Sequence, residues 1–406
     1  MGKHNIKISV PYYNRKIKLL LWNLVFILAF VSYSFAECLP CPTVENGTLI
    51  KDCQPYKAVG VNYFDAFYRT LKNPADKSYK EGLKKLSQNG IPFIRVMISG
   101  FWPKDWELYL KNKDQYFSLL DEFIRTAEEY KIGLVLNLFW NVSTVPDVVG
   151  EPISAWGDPN SKTIAFMKEF TREIVSRYKG SPSVWIWEFG NEYNLVADLP
   201  KPYEKVAPQY GTPAKRTEKD RLSWKDITTA FVLFANEVRK FDPYRPIGTG
   251  SSILRGSSYH LAFFKTWDKD NQKQLFYMLH MTNPPEYDVV SVHVYPTNIE
   301  KNYSGYGLYH TIKMFKDYSE KLNKMLFIGE FGVCRDEHAT SKEDEKRKFE
   351  ELITVIRDAE VPLAALWVYD FKGQDKTCNV TFDNDRAYQL DYIIGINRAI
   401  QKVRRK

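Results

Sequence analysis

The chain has 406 residues, 44% of them apolar and 26% charged, a globular composition that excludes a disordered or collagen-like chain. Its length suits one large barrel or two ordinary domains. The net charge of +8 is concentrated at the start, where Lys3, Lys7, Arg15, Lys16 and Lys18 precede residue 37 with no acid among them; the rest has no Lys/Arg cluster dense enough for a phosphate-binding stripe. No nucleic-acid partner is expected.

Residues 1–36 read as an export segment. Leu19 to Ala36 is uncharged and mostly apolar, and Ser34 and Ala36 are the small residues a signal peptidase reads before Glu37. The alternative is an uncleaved anchor, because the stretch is just long enough to span a bilayer. Either way the body is expected outside the cytoplasm, secreted, periplasmic or at the cell surface, with a membrane involved only through an uncleaved leader. Residues 37–55 form a Cys-containing N-terminal segment. Five cysteines (Cys38, Cys41, Cys53, Cys334 and Cys378) allow disulfides and leave one over. Cys38 and Cys41 make a C-x-x-C with no second pair or His cluster at zinc spacing, so a bridge tying the tail to itself or to the body is expected rather than a metal. Asn46, Asn141, Asn302 and Asn379 head N-x-[ST] sequons.

From residue 56 to 406, short β-branched and aromatic runs alternate with amphipathic stretches. Strands are predicted at Ala58–Asn62, Phe93–Met97, Gly133–Leu138, Val184–Glu188, Pro246–Thr249, Val289–Val294, Met325–Gly329 and Leu363–Tyr369. Helices are predicted at Tyr79–Gln88, Tyr116–Tyr130, Thr163–Tyr178, Trp224–Phe241, Leu308–Leu322 and Glu343–Ala359. Ser223 with Asp226, and Ser341 with Asp344, read as capping boxes; Asn89-Gly90 closes the first helix. Every interval between strands exceeds the roughly 30 residues a βα unit needs. Eight such units give an α/β fold, a (β/α)8 TIM barrel; a doubly wound sheet is disfavoured because no Gly-rich fingerprint follows the first strand. The longest interval, 193–222, is polar and holds four prolines, and it should shape the cleft.

Barrel chemistry sits at the C-terminal strand ends. Those ends offer Arg95 on strand two, Asn137 and Trp140 on strand three, and Glu188, Asn191 and Glu192 on strand four. Strand six supplies His293 and Tyr295, strand seven Glu330 and strand eight Trp367. Carboxylates on strands four and seven can face each other across the mouth, as retaining glycoside hydrolysis requires. One must stay protonated and the other ionised, and Arg95 is placed to favour an ionised partner. Taken singly, each of these residues has a bland reading as core or salt bridge, with Glu188 a competing acid. The case rests on their joint placement.

Gly190-Asn191-Glu192, His293-x-Tyr295 and Ile328-Gly329-Glu330-Phe331, in that order, resemble family 5 glycoside hydrolases, with the similarity spanning about residues 56–400. The resemblance implies Glu192 as acid/base, Glu330 as nucleophile and Asn191 at the sugar 2-hydroxyl. It further implies Arg95 and Tyr295 holding the nucleophile, His293 supporting the acid/base, and Trp367 as a sugar platform. Many cellulases of the family carry His at the third strand end. The Asn137 and Trp140 of this chain are more similar to β-mannanases. The expected activity is a retaining endo-β-glycanase on β-1,4-mannan or glucomannan, without cofactor or metal. The alternatives are a cellulase, an exo-acting or transglycosylating relative, and a non-catalytic carbohydrate-binding barrel.

Overall fold

The computed structural model describes residues 39, 41–201, 210–303 and 305–404, so the leader and Cys38 lie outside the described residues. Three short strands come first: β1 (Thr43–Glu45), β2 (Thr48–Lys51) and β3 (Gln54–Pro55), paired antiparallel. Eight parallel strands follow: β4 (Ala58–Asn62), β5 (Phe93–Met97), β6 (Gly133–Phe139), β7 (Val184–Gly190), β8 (Ile247–Gly248), β9 (Val289–Val294), β10 (Met325–Phe331) and β11 (Leu363–Leu366). Their order, β8-β7-β6-β5-β4-β11-β10-β9, is that of a (β/α)8 barrel. The strands are apolar because both faces are covered. One face meets the helical layer, with Ile94, Leu136, Phe189 and Ile328 in the large outer core. The other fills the barrel, where Phe93, Val135, Met325, Phe327 and Leu363 pack together.

Leu49 of β2 belongs to that inner cluster and is fully buried. The segment that the sequence marks only by its cysteines thus closes the N-terminal end of the barrel.

Around the barrel, each strand is followed by at least one helix. The predicted helices appear as Tyr79–Gln88, Lys113–Glu129, Lys162–Tyr178, Trp224–Arg239, Gly307–Lys321 and Lys342–Asp358. Ala66–Lys72, Glu107–Lys111, Thr144–Val149, Ser258–Phe264, Gln272–Thr282, Pro296–Tyr303 and Ala387–Arg404 are additional. The Ser223–Asp226 capping box forms in both directions. At Ser341 the return bond differs: Ser341 Oγ accepts from Asp344 N, while the Asp344 carboxylate accepts from Thr340 N. Gly90 follows its helix at φ +76° and finishes it as expected.

No backbone ladder joins β8 to β9 among the described residues. Side chains take the orphaned amides there. Ile247 N donates to Asp288 Oδ2 at 2.9 Å, Gly250 N to Ser291 Oγ at 3.3 Å, and Ser291 N to Asn283 Oδ1 at 3.3 Å. This shortens β8 to two residues against the four expected.

Cys334 and Cys378 form a disulfide between the loops after β10 and β11; Cys53 is also disulfide-bonded, and Cys41 is a buried free thiol. Of the four sequon asparagines, Asn46 alone is exposed. Asn141 Oδ1 accepts from Ser143 N, Asn302 Oδ1 from Gly256 N and Asn379 Oδ1 from Phe371 N.

Candidate active site

Two local distortions set the two carboxylates. Along β10, Met325 and Phe327 face the barrel interior and Leu326 and Ile328 face the helices, so strict alternation would send Glu330 outward. The register against β9 slips at this point, Ile328 pairing with Val292 and Glu330 with His293, which leaves Gly329 as an extra residue. This bulge turns Glu330 inward. A Cβ on Gly329 would lie 3.0 Å from His293 Nε2, so a side chain there would press on the His293 ring. At the end of β7, Glu192 sits at φ +57° and ψ +27°, a left-handed conformation that costs about 1–2 kcal/mol for a residue with a side chain. Its amide is held by Gly250 O at 2.9 Å.

Arg95, fully buried, is the hub. Its Nε donates to Glu188 Oε2 at 2.6 Å, and Nη1 to Glu330 Oε1 at 2.9 Å and Asn62 Oδ1 at 3.2 Å. Nη2 donates to Asn191 Oδ1 at 2.8 Å. The guanidinium lies 4.6 Å from the centre of the Trp140 ring. Tyr295 Oη donates to Glu330 Oε2 at 2.7 Å. His293 Nδ1 lies 2.9 Å from Glu192 Oε1 and 3.6 Å from Glu330 Oε1. One ligating atom from each of Glu192, His293 and Glu330 falls within 4.8 Å of the others.

Burial raises the Glu330 carboxyl above its ordinary value and the Glu192 charge adds to that, against His293, Arg95 and the Tyr295 hydrogen bond. Burial also pushes Glu192 up, but the His293 hydrogen bond and charge, the Ser252 hydroxyl and Arg95 bring it below its ordinary value. Arg95 does favour the ionised form of Glu330, as expected, yet it does not prevail. It is one guanidinium among Glu188, Glu192 and Glu330, and its closest contact is with Glu188. In this geometry a proton shared by the pair is held more readily by Glu330. Burial raises the Tyr295 hydroxyl far above its usual range, with the Glu330 and Glu192 charges adding, so it stays a donor.

Trp367 is half-buried and stacks on Phe64 with ring centres 5.1 Å apart; its indole N–H donates to Gln374. Trp140 packs between Arg95, Phe64 and Trp367 and is nearly enclosed.

Three of the strand-end residues, Arg95, Asn137 and His293, are completely buried and offer no surface to a substrate. Asn137 Nδ2 donates to Glu188 Oε2 at 2.8 Å and Gly190 O at 2.5 Å, beneath the carboxylates. Burial by flanking loops is invisible in a strand-end motif. Sequence reasoning missed Asn62, whose place at the end of the first strand was a usable signal, and Ser252 and His338, which had none. His338 stacks on Tyr295 with centres 5.0 Å apart and accepts from Cys334 N.

Glu192, His293 and Glu330 converge as ligands of a cation would, but both Glu330 oxygens already accept from Arg95 and Tyr295, and the guanidinium opposes a second positive charge.

The family model for cellulase (glycosyl hydrolase family 5) matches residues 51–373. The chain belongs to glycosyl hydrolase family 5. This family 5 glycoside hydrolase is similar in fold to an endo-1,4-β-mannanase from Rhizomucor miehei (TM-score 0.66, 14% identity, 89% of this chain and 99% of that one). It is also similar to a family 5 mannosidase from the same organism (TM-score 0.59, 15% identity, 90% and 99%). An endo-β-1,4-mannanase from Thermotoga petrophila is a third neighbour (TM-score 0.59, 12% identity, 85% and 77%). No curated protein matches the chain in sequence.

Proposed function

We propose that this glycoside hydrolase cleaves β-1,4-linked mannan or glucomannan internally by double displacement with retention. The supporting observation is the spacing of Glu192 and Glu330, whose carboxylate oxygens approach within 4.8 Å. Retaining enzymes keep their carboxyl groups about 5–5.5 Å apart, whereas inverting ones leave about 6.5–9.5 Å for a water. Glu330 attacks the anomeric carbon while Glu192 gives its proton to the departing glycosidic oxygen, leaving a glycosyl ester on Glu330. Glu192 then takes a proton from the water that cleaves this ester.

The surroundings fit these roles. Arg95 and Tyr295 fix both oxygens of Glu330. Arg95 Nη2 also donates to Asn191 Oδ1, which leaves Asn191 Nδ2 for a sugar hydroxyl. Glu192 must carry the proton when substrate arrives, and exposure supplies the means: its side chain is 30% exposed, that of Glu330 6%. A sugar ring displacing water from Glu192 raises its pKa and changes the already enclosed Glu330 little. Trp367 offers a flat face for the reacting sugar.

Mannan is favoured over cellulose by the Asn137–Trp140 third strand end and by the mannanases among the structural neighbours. Export is part of the same proposal, supported by the basic-apolar leader and the Cys334–Cys378 disulfide. One observation favours exo-action as a second reading. Tyr210, between β7 and β8, stacks on Trp102 of the loop after β5 with ring centres 5.4 Å apart, joining two loops at the C-terminal end of the barrel, where a blocked cleft would leave only chain ends accessible.

Incubation with β-mannan, glucomannan, cellulose and xylan, following reducing ends and product sizes, tests all of this. Oligosaccharides are expected from the mannans. Glu330→Ala should abolish release. Glu192→Ala should lower it by about 10²–10⁴ while sparing an aryl glycoside whose leaving group needs no proton. Monosaccharide alone would select exo-action, and activity surviving both substitutions would remove the two-carboxylate mechanism.

A further inference from the structure

A groove of about 600 Å³ opens on the acid/base side of the site, lined by Ser252, Arg255, Trp267, Lys269, Asn298 and Lys301 among others. It begins at Glu192: Ser252 is the buried hydroxyl beside that carboxylate, and Leu195, also in the lining, donates its amide to Glu192 O. The lining holds three cations and no carboxylate.

Arg255 is half-buried and gives one N–H to Leu195 O, with no acid paired to it among the described residues; burial alone shifts it, downward. Lys269 and Lys301 are exposed and form no ion pair among the described residues. The two acids that flank Lys269 accept hydrogen bonds from other groups, and Glu300, beside Lys301, lines a different cavity. Asp270 accepts from Tyr259 N, His260 N and the His260 ring, and Asp268 accepts from Thr266. Beside these cations Trp267 presents its indole 59% exposed. A flat aromatic face next to unneutralised cations matches a pyranose that carries a negative group. In a retaining glycosidase the acid protonates the leaving oxygen, so the leaving saccharide lies on the acid's side, which is where this groove runs.

We propose that the leaving-group side of the cleft accepts an anionic saccharide, a sugar bearing a carboxylate or a sulfate, held by Arg255, Lys269 and Lys301 against Trp267. This rests on the assignment of Glu192 as the acid.

The test is binding, which does not require turnover. Thio-linked, non-hydrolysable oligosaccharides of one backbone are titrated into the full chain, with the leaving-side sugar neutral, 6-carboxylated or 6-sulfated. An anionic probe is expected to bind about tenfold more tightly than the neutral one at low salt, the advantage shrinking as salt rises. A carboxylate preference identifies a uronic acid and a sulfate preference a sulfated sugar. The Lys269→Glu/Lys301→Glu variant, changed at two exposed positions, should reverse the order of anionic and neutral probes. Equal affinity for all three probes, or an anionic preference that survives charge reversal, overturns the proposal. Failure of the mannan panel together with anionic preference here would remove the substrate reading and leave the groove assignment standing.

Discussion

Tyr295 and Glu192 act on the Glu330 carboxyl with opposite sign. The Tyr295 hydrogen bond holds the Glu330 pKa down and the Glu192 charge pushes it up. In the proposed double displacement Glu330 must be ionised to attack, so its pKa would set the acid limb of the rate profile. Tyr295→Phe removes a stabiliser of the charged form and should move that limb to higher pH. It should also lower kcat/KM by about tenfold or more, for the loss of a hydrogen bond to a charged group. Glu192→Gln removes the repelling charge and should move the limb to lower pH. Profiles on an aryl glycoside with a good leaving group check both, and shifts in the same direction would contradict this account of the pair. Three partners of Arg95 (Glu188, Asn191 and Glu330) were legible as strand-end residues in sequence, whereas the fourth, Asn62, was missed. What sequence could not show is that Arg95 divides its charge between Glu188 and Glu330, because the sharing depends on side-chain distances inside the barrel.

Among elements, the strands were legible where the core covers both faces. Ala58–Asn62 and Phe93–Met97 have the expected bounds because these short buried runs carry only one polar residue each, Asn62 and Arg95, and both of those serve the site. The predicted Pro246–Thr249 contracts because its amides bond to side chains, and the three N-terminal strands, two to four residues each, are too short for an alternating pattern. The Gly329 bulge was hidden as well: the motif names Glu330, while only the register with β9 shows why it faces inward. Between the loops after β10 and β11, the Cys334–Cys378 bridge closes a separation of 44 residues that includes both Trp367 and Gln374, the acceptor of the Trp367 indole N–H. Closing such a loop is worth about 4 kcal/mol on chain-entropy grounds. The Cys334→Ser/Cys378→Ser variant should lose stability of that order in denaturant titrations and show a raised KM, as Trp367, the proposed sugar platform, loosens. Unchanged stability would mean the bridge constrains nothing that packing does not already fix.

Across the whole molecule the two barrel ends divide their tasks. The C-terminal end carries charge, aromatic faces and left-handed backbone at Glu192, while the N-terminal end is closed by apolar packing around Leu49. Leu49→Ala should therefore cost about 2–5 kcal/mol of stability and leave kcat unchanged at temperatures where the variant is folded. Thermal unfolding and steady-state kinetics on one preparation check the separation; a large fall in kcat would show that the two ends communicate.

The joint between β8 and β9 bears on how this barrel breathes. Among the described residues, seven neighbouring strand pairs are held by backbone ladders, and the eighth by a few side-chain bonds. Opening should begin there, and the amides of Ile247, Gly250 and Ser291 should exchange with solvent before those of the ladders beside them. Ser252 and Arg255 follow β8, whereas Asn298 and Lys301 follow β9, so a saccharide in the proposed groove would lie across this joint and act as a clasp. The ligand would then complete, from outside, the ring that the chain's own backbone leaves unlaced.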